Sequence, residues 1–66
     1  MMVIKIKELL EAKGKTIYWL SKQANITHYN LSRLARNETT SIRFEHIENI
    51  CKALECTPNE LLGWED

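Results

Sequence analysis

The 66-residue sequence lacks a long hydrophobic run: the longest, Met1 to Ile4, is far shorter than the roughly 20 apolar residues of a membrane span. It also lacks the apolar core of a secretory signal peptide, so we expect a cytoplasmic protein without a membrane partner. With two glycines, one proline and no repeat or low-complexity tract, no linker is apparent. The length predicts one domain over residues 1–66.

Catalytic and metal-binding motifs are also missing. The sequence has no glycine-rich phosphate loop and no nucleophile beside an obvious base, and a chain this short leaves little room for a substrate pocket. A metal site of His46, Cys51 and Cys56 is an alternative, but the residues do not have zinc-motif spacing and a fourth ligand is missing. A disulfide is a second alternative; however, Cys51 lies in the apolar register of a helix, which favours a free core cysteine. We therefore expect no enzyme activity, small-molecule substrate, metal or cofactor.

Strand signals are absent as well, since no segment alternates apolar and polar residues and no Asn-Gly turn occurs. The hydrophobic periodicity instead predicts an all-α protein, a compact five-helix bundle with helices at about 3–12, 17–24, 28–36, 43–54 and 58–62. Thr16 and Thr27 are suited to cap the second and third helices, and Thr57 to Glu60 has the pattern of a capping box around a proline. Residues that tolerate a left-handed backbone or otherwise stop a helix are expected to end the others: Gly14, Asn25, Asn37 and Gly63.

The apolar residues predict which side chains face the core. In the fourth helix the inward register is Phe44, Ile47, Ile50, Cys51 and Leu54. Trp19 lies off the main apolar stripe of its helix and is expected to be partly exposed. Trp64 is expected to cover one end of the bundle, with contact to a second subunit as the alternative.

Net charge is zero, yet the charges are unevenly distributed. Residues 1–37 contain seven Lys and Arg against two Glu, a net of +5, and residues 38–66 have a net of −5. The positive half coincides with the second and third helices, which favours a polyanionic partner, although a chance asymmetry among solvated faces is an alternative.

The segment from Thr16 to Arg36 is the most informative part of the chain. Two short amphipathic stretches are joined by a polar break at residues 25–27, the arrangement by which a small protein presents one helix to the major groove. On the second stretch Leu31 and Leu34 face inward, and the side chains that project elsewhere can hydrogen-bond. We predict that the base or groove contacts are His28, Tyr29, Asn30 and Arg33.

Asn30 is suited to a bidentate bond with adenine and Arg33 to one with guanine, while a simple solvated helix face is the alternative. Residues flanking this helix are expected to contact phosphates through hydroxyls, amides or cations. For Thr16 and Thr27 a capping role is an equal alternative, and for Lys22 a solvated one. The predicted phosphate set is Thr16, Ile17, Tyr18, Lys22, Thr27, Ser32, Arg36, Asn37, Thr39, Thr40, Ser41 and Arg43.

Several of these motifs together resemble a known family. The segments are Ile6 to Leu10, Thr16 to Thr27, Leu31 to Leu34, Ile50 to Leu54 and Thr57 to Leu62. In order and spacing they are similar to the lambda-repressor-like (XRE-type, Cro-like) helix-turn-helix transcriptional regulators. The resemblance implies a five-helix domain, with the helix-turn-helix formed by the second and third helices, that binds operator DNA as a dimer in bacteria or phages. We therefore expect a repressor that binds a palindromic double-stranded site as a homodimer.

The sequence departs from that family at several positions. Ile17 replaces a glutamine that grips a phosphate, Asn25 replaces a turn glycine, and Arg43 is a poor cap for the fourth helix. An Arg–Glu ion pair common in the family is replaced by two apolar residues, Leu10 and Ala35. Replacing both partners of a buried ion pair by packed apolar groups is often neutral or stabilising, so the two changes are compatible with the fold. Ile17 and the zero net charge support an alternative function, an antitoxin-like or anti-repressor-like protein-interaction module that does not bind DNA. The dimer surface is expected in the last two helices or the tail, with Leu62 and Trp64 as candidates.

Overall fold

The computed structural model describes residues 1–65 and consists of five helices and two short strands. In chain order these are β1 (Met2–Ile4), α1 (Ile6–Lys13), α2 (Ile17–Ala24), α3 (His28–Ala35), α4 (Phe44–Leu54), α5 (Pro58–Leu61) and β2 (Leu62–Trp64). The predicted all-α class is confirmed, because the strands are only three residues long. Within residues 1–65, no helix has the length and apolar character that crossing a bilayer requires.

A single hydrophobic core lies between the helices. Its fully buried large side chains come from every helix, and burial of each is worth about 1.5–3 kcal/mol. Cys51 is buried and Cys56 half-buried, and both are free thiols, as predicted for Cys51. The fully buried side chains are Ile6, Leu20, Leu31, Ile50, Leu54 and Leu61.

The helix ends follow the predicted local chemistry. Thr16 and Thr27 each accept a hydrogen bond from a backbone N–H three residues on, and Thr57 forms the full capping box with Glu60. The left-handed backbone predicted to stop helices occurs at Gly14, Asn25 and Asn37, with φ of 67°, 56° and 57°. Glu55 ends α4 in the same conformation (φ 53°), which its residue type does not predict.

The predicted start of the first helix at residue 3 is wrong. Residues 2–4 form β1 and pair antiparallel with β2, with Val3 opposite Gly63. Val3 is buried, as its apolar character predicts, but it is a strand residue. The expected absence of strands fails here because the pairing depends on a partner about sixty residues away, which local periodicity does not reveal.

Smaller corrections apply to the other helices. The third begins at His28 but ends at Ala35, one residue short, and the fourth begins at Phe44 because Arg43 is its N-cap. The fifth ends at Leu61, and Gly63, expected to stop it, lies within β2. A Cβ at Gly63 would meet only the outer part of the Lys5 side chain, which is flexible and can move aside, so neither this contact nor the backbone conformation requires a glycine there.

Two aromatic residues are not where the sequence predicts them. Phe44 was expected in the core but is 85% exposed, and Trp64, expected to cover the bundle, is 69% exposed. Phe44 is the first residue of α4, one turn before the part of the helix that meets the core. Trp19 is half-buried against the core, in agreement with its predicted partial exposure.

Asn37 connects the end of α3 to β1. Its side-chain Oδ1 accepts a hydrogen bond from the Ile4 N–H at 2.6 Å, and its Nδ2 donates to the Ile4 carbonyl at 3.3 Å. The amide group therefore occupies the backbone groups of Ile4 that face away from β2. Together with its left-handed backbone, this contact gives Asn37 a structural role.

We predict that Asn37→Ala lowers the free energy of unfolding by about 1–3 kcal/mol. The substitution removes two hydrogen bonds and puts alanine at a positive φ, which alanine tolerates less well than asparagine because it has no polar side chain to bond locally. Asn37→Gly removes only the hydrogen bonds and is expected to cost less. Urea denaturation of both variants measures the difference. Equal losses would show that the left-handed backbone contributes nothing.

The Cys56 thiol resists ionisation. Burial raises its pKa from 9.0 to about 11, with further contributions from the neighbouring Cys51 thiol and the Glu60 carboxylate. In the unfolded chain, by contrast, the thiol ionises near its ordinary pKa. Between these two values the folded state retains a proton that the unfolded state has lost, so rising pH favours unfolding.

We therefore expect the stability of the native protein to fall, relative to Cys56→Ala, as pH rises from about 9 to about 11. Below pH 9 the two curves of unfolding free energy against pH should run parallel. Comparing the two proteins cancels every contribution to the pH dependence that they share. Parallel curves through the whole range would contradict the proposed thiol effect.

Candidate nucleic-acid interface

The turn between α2 and α3 fixes the angle between the two helices. Asn25 turns the chain in the left-handed conformation, and the N–H of Ile26 donates to the Ser21 carbonyl at 3.1 Å. Ile26 is buried as the apolar plug of the turn. From α4, the Asn49 side chain donates to the Ala24 carbonyl at 3.2 Å, satisfying an acceptor that the helix end leaves free.

α3 presents one apolar and one polar face. Leu31, Leu34 and Ala35 are buried against the core. The first turn stands clear of it: three of the predicted base contacts, His28, Tyr29 and Asn30, are exposed, and Tyr29 is 69% exposed. Of the remaining outward residues Ser32 and Arg33 are half-buried by their neighbours.

Contacts along α3 order its polar side chains. The Arg33 guanidinium lies over the Tyr29 ring, 5.8 Å from the ring centre, at the edge of the range for a cation–π contact. The Ser32 hydroxyl lies 3.4 Å from Nδ1 of His28. Both pairs are four residues apart and occupy neighbouring positions on the helix surface.

A cleft of about 200 Å³ separates α3 from the start of α4. Asn30 lines it on one side and Arg43 and His46 on the other, with Thr39 and Ser41 of the connecting loop at one end. His46 was considered only as a metal ligand in the sequence, and its place beside Asn30 was missed. The available signal was its spacing of three residues from Arg43, which puts both side chains on the same side of the start of α4.

The N-terminus of α2 contains several residues of the predicted phosphate set. Thr16 caps the helix through the Trp19 N–H at 3.1 Å, so its hydroxyl has a structural partner. Ile17 is half-buried and packs against the core, which leaves only its backbone amide available for a phosphate. Tyr18 is 61% exposed, and the Lys22 ammonium lies 4.8 Å from its ring centre.

Three residues of the predicted phosphate set have other partners or surroundings. Arg36 pairs with Glu38, with Nε to Oε2 at 3.0 Å, although both side chains are about half exposed. Asn37 binds the Ile4 backbone as described above. The Thr39 hydroxyl is buried, and no hydrogen-bond partner for it occurs within residues 1–65. Thr40, Ser41 and Arg43 are exposed.

The charges favour an anionic partner for this surface. From Ala12 to Asn37 the sequence contains no Asp or Glu, while five Lys and Arg occur there. Leu10 and Ala35, which replace the ion pair common in the similar family, are both buried in the hydrophobic core, so that substitution is accommodated by packing.

Comparisons with known proteins agree with this geometry. Residues 5–66 match the profile of the Cro/C1-type HTH DNA-binding domain. The chain is 38% identical over 62 residues to YozG of Bacillus subtilis (strain 168), named an uncharacterized HTH-type transcriptional regulator, covering 94% of this chain and 74% of that protein.

A crystal structure from Bacteroides fragilis, described as that of a candidate DNA-binding protein, superposes with a TM-score of 0.84 at 25% identity. The match covers 96% of this chain and all of the other. The family profile covers nearly the whole chain. The chain belongs to the Cro/C1-type helix-turn-helix family of DNA-binding transcriptional regulators.

Proposed function

We propose that the protein is a sequence-specific regulator of transcription that binds double-stranded DNA with α3 in the major groove. The observation that carries this proposal is the polar, exposed first turn of α3, which begins at His28 and lies in a segment without a single acidic residue. An α-helix fits the major groove, and the N-terminal residues of the recognition helix approach the base edges.

Four side chains are proposed to read the bases. Asn30 is placed to bond the N6 and N7 atoms of adenine, and Arg33 the O6 and N7 atoms of guanine. Stacking on Tyr29 would limit the conformations of Arg33 before binding and so reduce the entropy lost on the DNA. His28 and Tyr29 are proposed to contact base edges or thymine methyl groups in the same groove.

The phosphate contacts are proposed to come from both sides of α3. On one side are Thr16, Tyr18, Lys22 and the backbone amides at the start of α2, including that of Ile17. Thr27, Ser32, Arg36, Thr40, Ser41 and Arg43 form the rest of the set. Arg36 can leave its exposed pair with Glu38 at little cost, since such pairs are worth at most about 1 kcal/mol. Asn37 is left out of the proposed set because its amide binds the Ile4 backbone, and Thr39 because its hydroxyl is buried.

We further propose that two copies bind one palindromic operator and act as a repressor by occupying it. Two-fold symmetric dimers place their recognition helices in successive major grooves about 34–36 Å apart, which requires two inverted half-sites.

A protein-interaction module without DNA binding is the second candidate. It is supported by Ile17, which packs inward where the similar family has a phosphate-binding glutamine, and by the neutral net charge.

Salt titration separates these two functions. Lys22, Arg36 and Arg43 of two copies would together neutralise about six phosphates. The logarithm of the association constant should therefore fall against the logarithm of the salt concentration with a slope of about −5. Duplexes for the titration would be selected from a random pool, and inverted repeats should be enriched. No binding to any duplex at low salt, or a flat salt response, would favour the protein-interaction module.

Two substitutions distinguish base contacts from phosphate contacts. We expect Arg33→Ala to relax the preference at one base position in each half-site, a loss of about 1–3 kcal/mol against the preferred base. Lys22→Ala should weaken all duplexes equally and reduce the salt slope by about 2 for two copies. The measurement is binding to the selected site, its single-base variants and random DNA. An equal loss on specific and random DNA from Arg33→Ala would identify a backbone contact.

A further inference from the structure

The two cysteines meet where α4 ends. Glu55 turns the chain in the left-handed conformation, and the N–H of Cys56, the next residue, donates to the Cys51 carbonyl at 3.0 Å. A backbone bond between residues five apart around a left-handed residue is the Schellman ending of a helix, in which the side chains of the two bonded residues commonly contact each other. In this protein those two side chains are both free thiols.

The two thiols are close enough to interact. Burial makes the largest contribution to the raised pKa of Cys56, and the Cys51 thiol makes the next largest. Such an influence requires proximity, because the interaction between two groups weakens as their separation grows. Cys56 also packs against the hydrophobic core in which Cys51 is buried. The two side chains therefore lie on the same side of the helix ending.

The backbone holds the pair at a spacing that suits a disulfide. With standard bond lengths, the 3.0 Å hydrogen bond puts the two Cα atoms no more than about 7 Å apart, and any bend at the carbonyl oxygen shortens this distance. Disulfides usually join Cα atoms about 4.4–6.8 Å apart. Forming the bond between Cys51 and Cys56 thus calls for side-chain rotation with little movement of the backbone.

We propose that Cys51 and Cys56 form a reversible redox site, at which a small-molecule disulfide of the glutathione type converts the two thiols into an intramolecular disulfide. Cys56 is the more exposed thiol and reacts first. Its thiolate attacks one sulfur of the small disulfide, which forms a mixed disulfide and releases one small thiolate. The Cys51 thiolate then attacks the Cys56 sulfur and displaces the second small thiolate. Two protein thiols are oxidised, one small disulfide is reduced, and the released thiolates take up the two protons that the protein loses.

The surroundings of Cys56 determine how fast this site responds. Burial, the Cys51 thiol and the Glu60 carboxylate of α5 raise the pKa of Cys56 to about 11, against a smaller lowering by Lys13 of α1. The thiolate is the reacting form, so at neutral pH only a small fraction of Cys56 is able to attack and the exchange is slow. The site is therefore suited to sustained oxidation and not to a brief pulse of oxidant.

The disulfide would link two parts of the core. Cys51 belongs to α4, whose Asn49 side chain holds the end of α2, and Cys56 leads into α5 through the capping box at Thr57. A covalent link here restricts the unfolded chain more than the folded one, in which the two residues are already neighbours. The oxidised protein is therefore expected to be the more stable form. All the proposed DNA contacts lie within residues 16–43, so the redox site does not depend on the proposed function.

Equilibration in glutathione buffers tests the site. The native protein is brought to equilibrium with mixtures of glutathione and its disulfide, treated with an alkylating reagent and weighed by mass spectrometry. The intramolecular disulfide is recognised by the loss of two hydrogens and the absence of alkylation. We expect the equilibrium constant for its formation to be at least about tenfold higher in the folded protein than in concentrated urea, because folding holds the thiols together. By linkage, the thermal unfolding midpoint should rise on oxidation and return on reduction.

A matched control keeps two thiols in the same segment at the wrong spacing. In the double variant Cys56→Ala, Ala53→Cys the second thiol is two residues from Cys51, and residues two apart do not face each other on a helix. While folded, as verified by cooperative thermal unfolding, this variant should form only mixed disulfides with glutathione.

Three outcomes would overturn the proposal. The first is a native protein that forms only mixed disulfides or disulfide-linked dimers. The second is an equilibrium constant no higher in the folded protein than in urea, a comparison that needs no variant. The third is intramolecular oxidation of the folded control as readily as of the native protein.

Discussion

The packing of α2 against α4, with α3 held against α1 and α2, is the constraint on which the rest of the structure depends. Leu20 and Leu31 are fully buried with Ile50, and Asn49 holds the last carbonyl of α2 from the same helix. Because the inward faces of α2 and α3 are taken up by this packing, the opposite face of α3 has no neighbour to cover it. The exposure of the polar turn at His28 is thus a consequence of how the core is packed, and no further contact is needed to hold this turn at the surface.

The uneven distribution of charge along the chain explains how a neutral protein can suit a polyanion. The helices that carry the proposed recognition surface lie in the acid-free part of the chain, and the carboxylates are concentrated in α4 and after it. In physiological salt, screening limits the range of interactions between exposed charges to about 8 Å. The charges close to the DNA groove therefore matter more for binding than the total charge of the protein.

Local chemistry made most of the fold predictable. Helix ends depend on one to four adjacent residues, which is why the caps at Thr16, Thr27 and Thr57 were correctly identified. The sheet was not, because Val3 and Gly63 are paired by the tertiary structure. Phe44 fits a helical period in the sequence, but a period does not show where the core ends.

In the candidate site, α3 and its outward side chains were predictable from the sequence. The Asn37–Ile4 contact and the cleft between Asn30 and His46 were not predictable, because both depend on the path of the loop after α3.

The sheet also determines where the two ends of the described chain lie. The Met1 amino group donates to the Glu65 carbonyl, and the Glu65 N–H donates back to the Met1 carbonyl at 2.8 Å. Chain ends that are hydrogen-bonded neighbours can be joined by a short peptide, and the backbone opened at an exposed loop instead. The exposed Thr40–Ser41 segment is one such loop. A circular permutant opened there would turn the terminal pair into an ordinary hairpin, converting the most distant contact in the sequence into a local one.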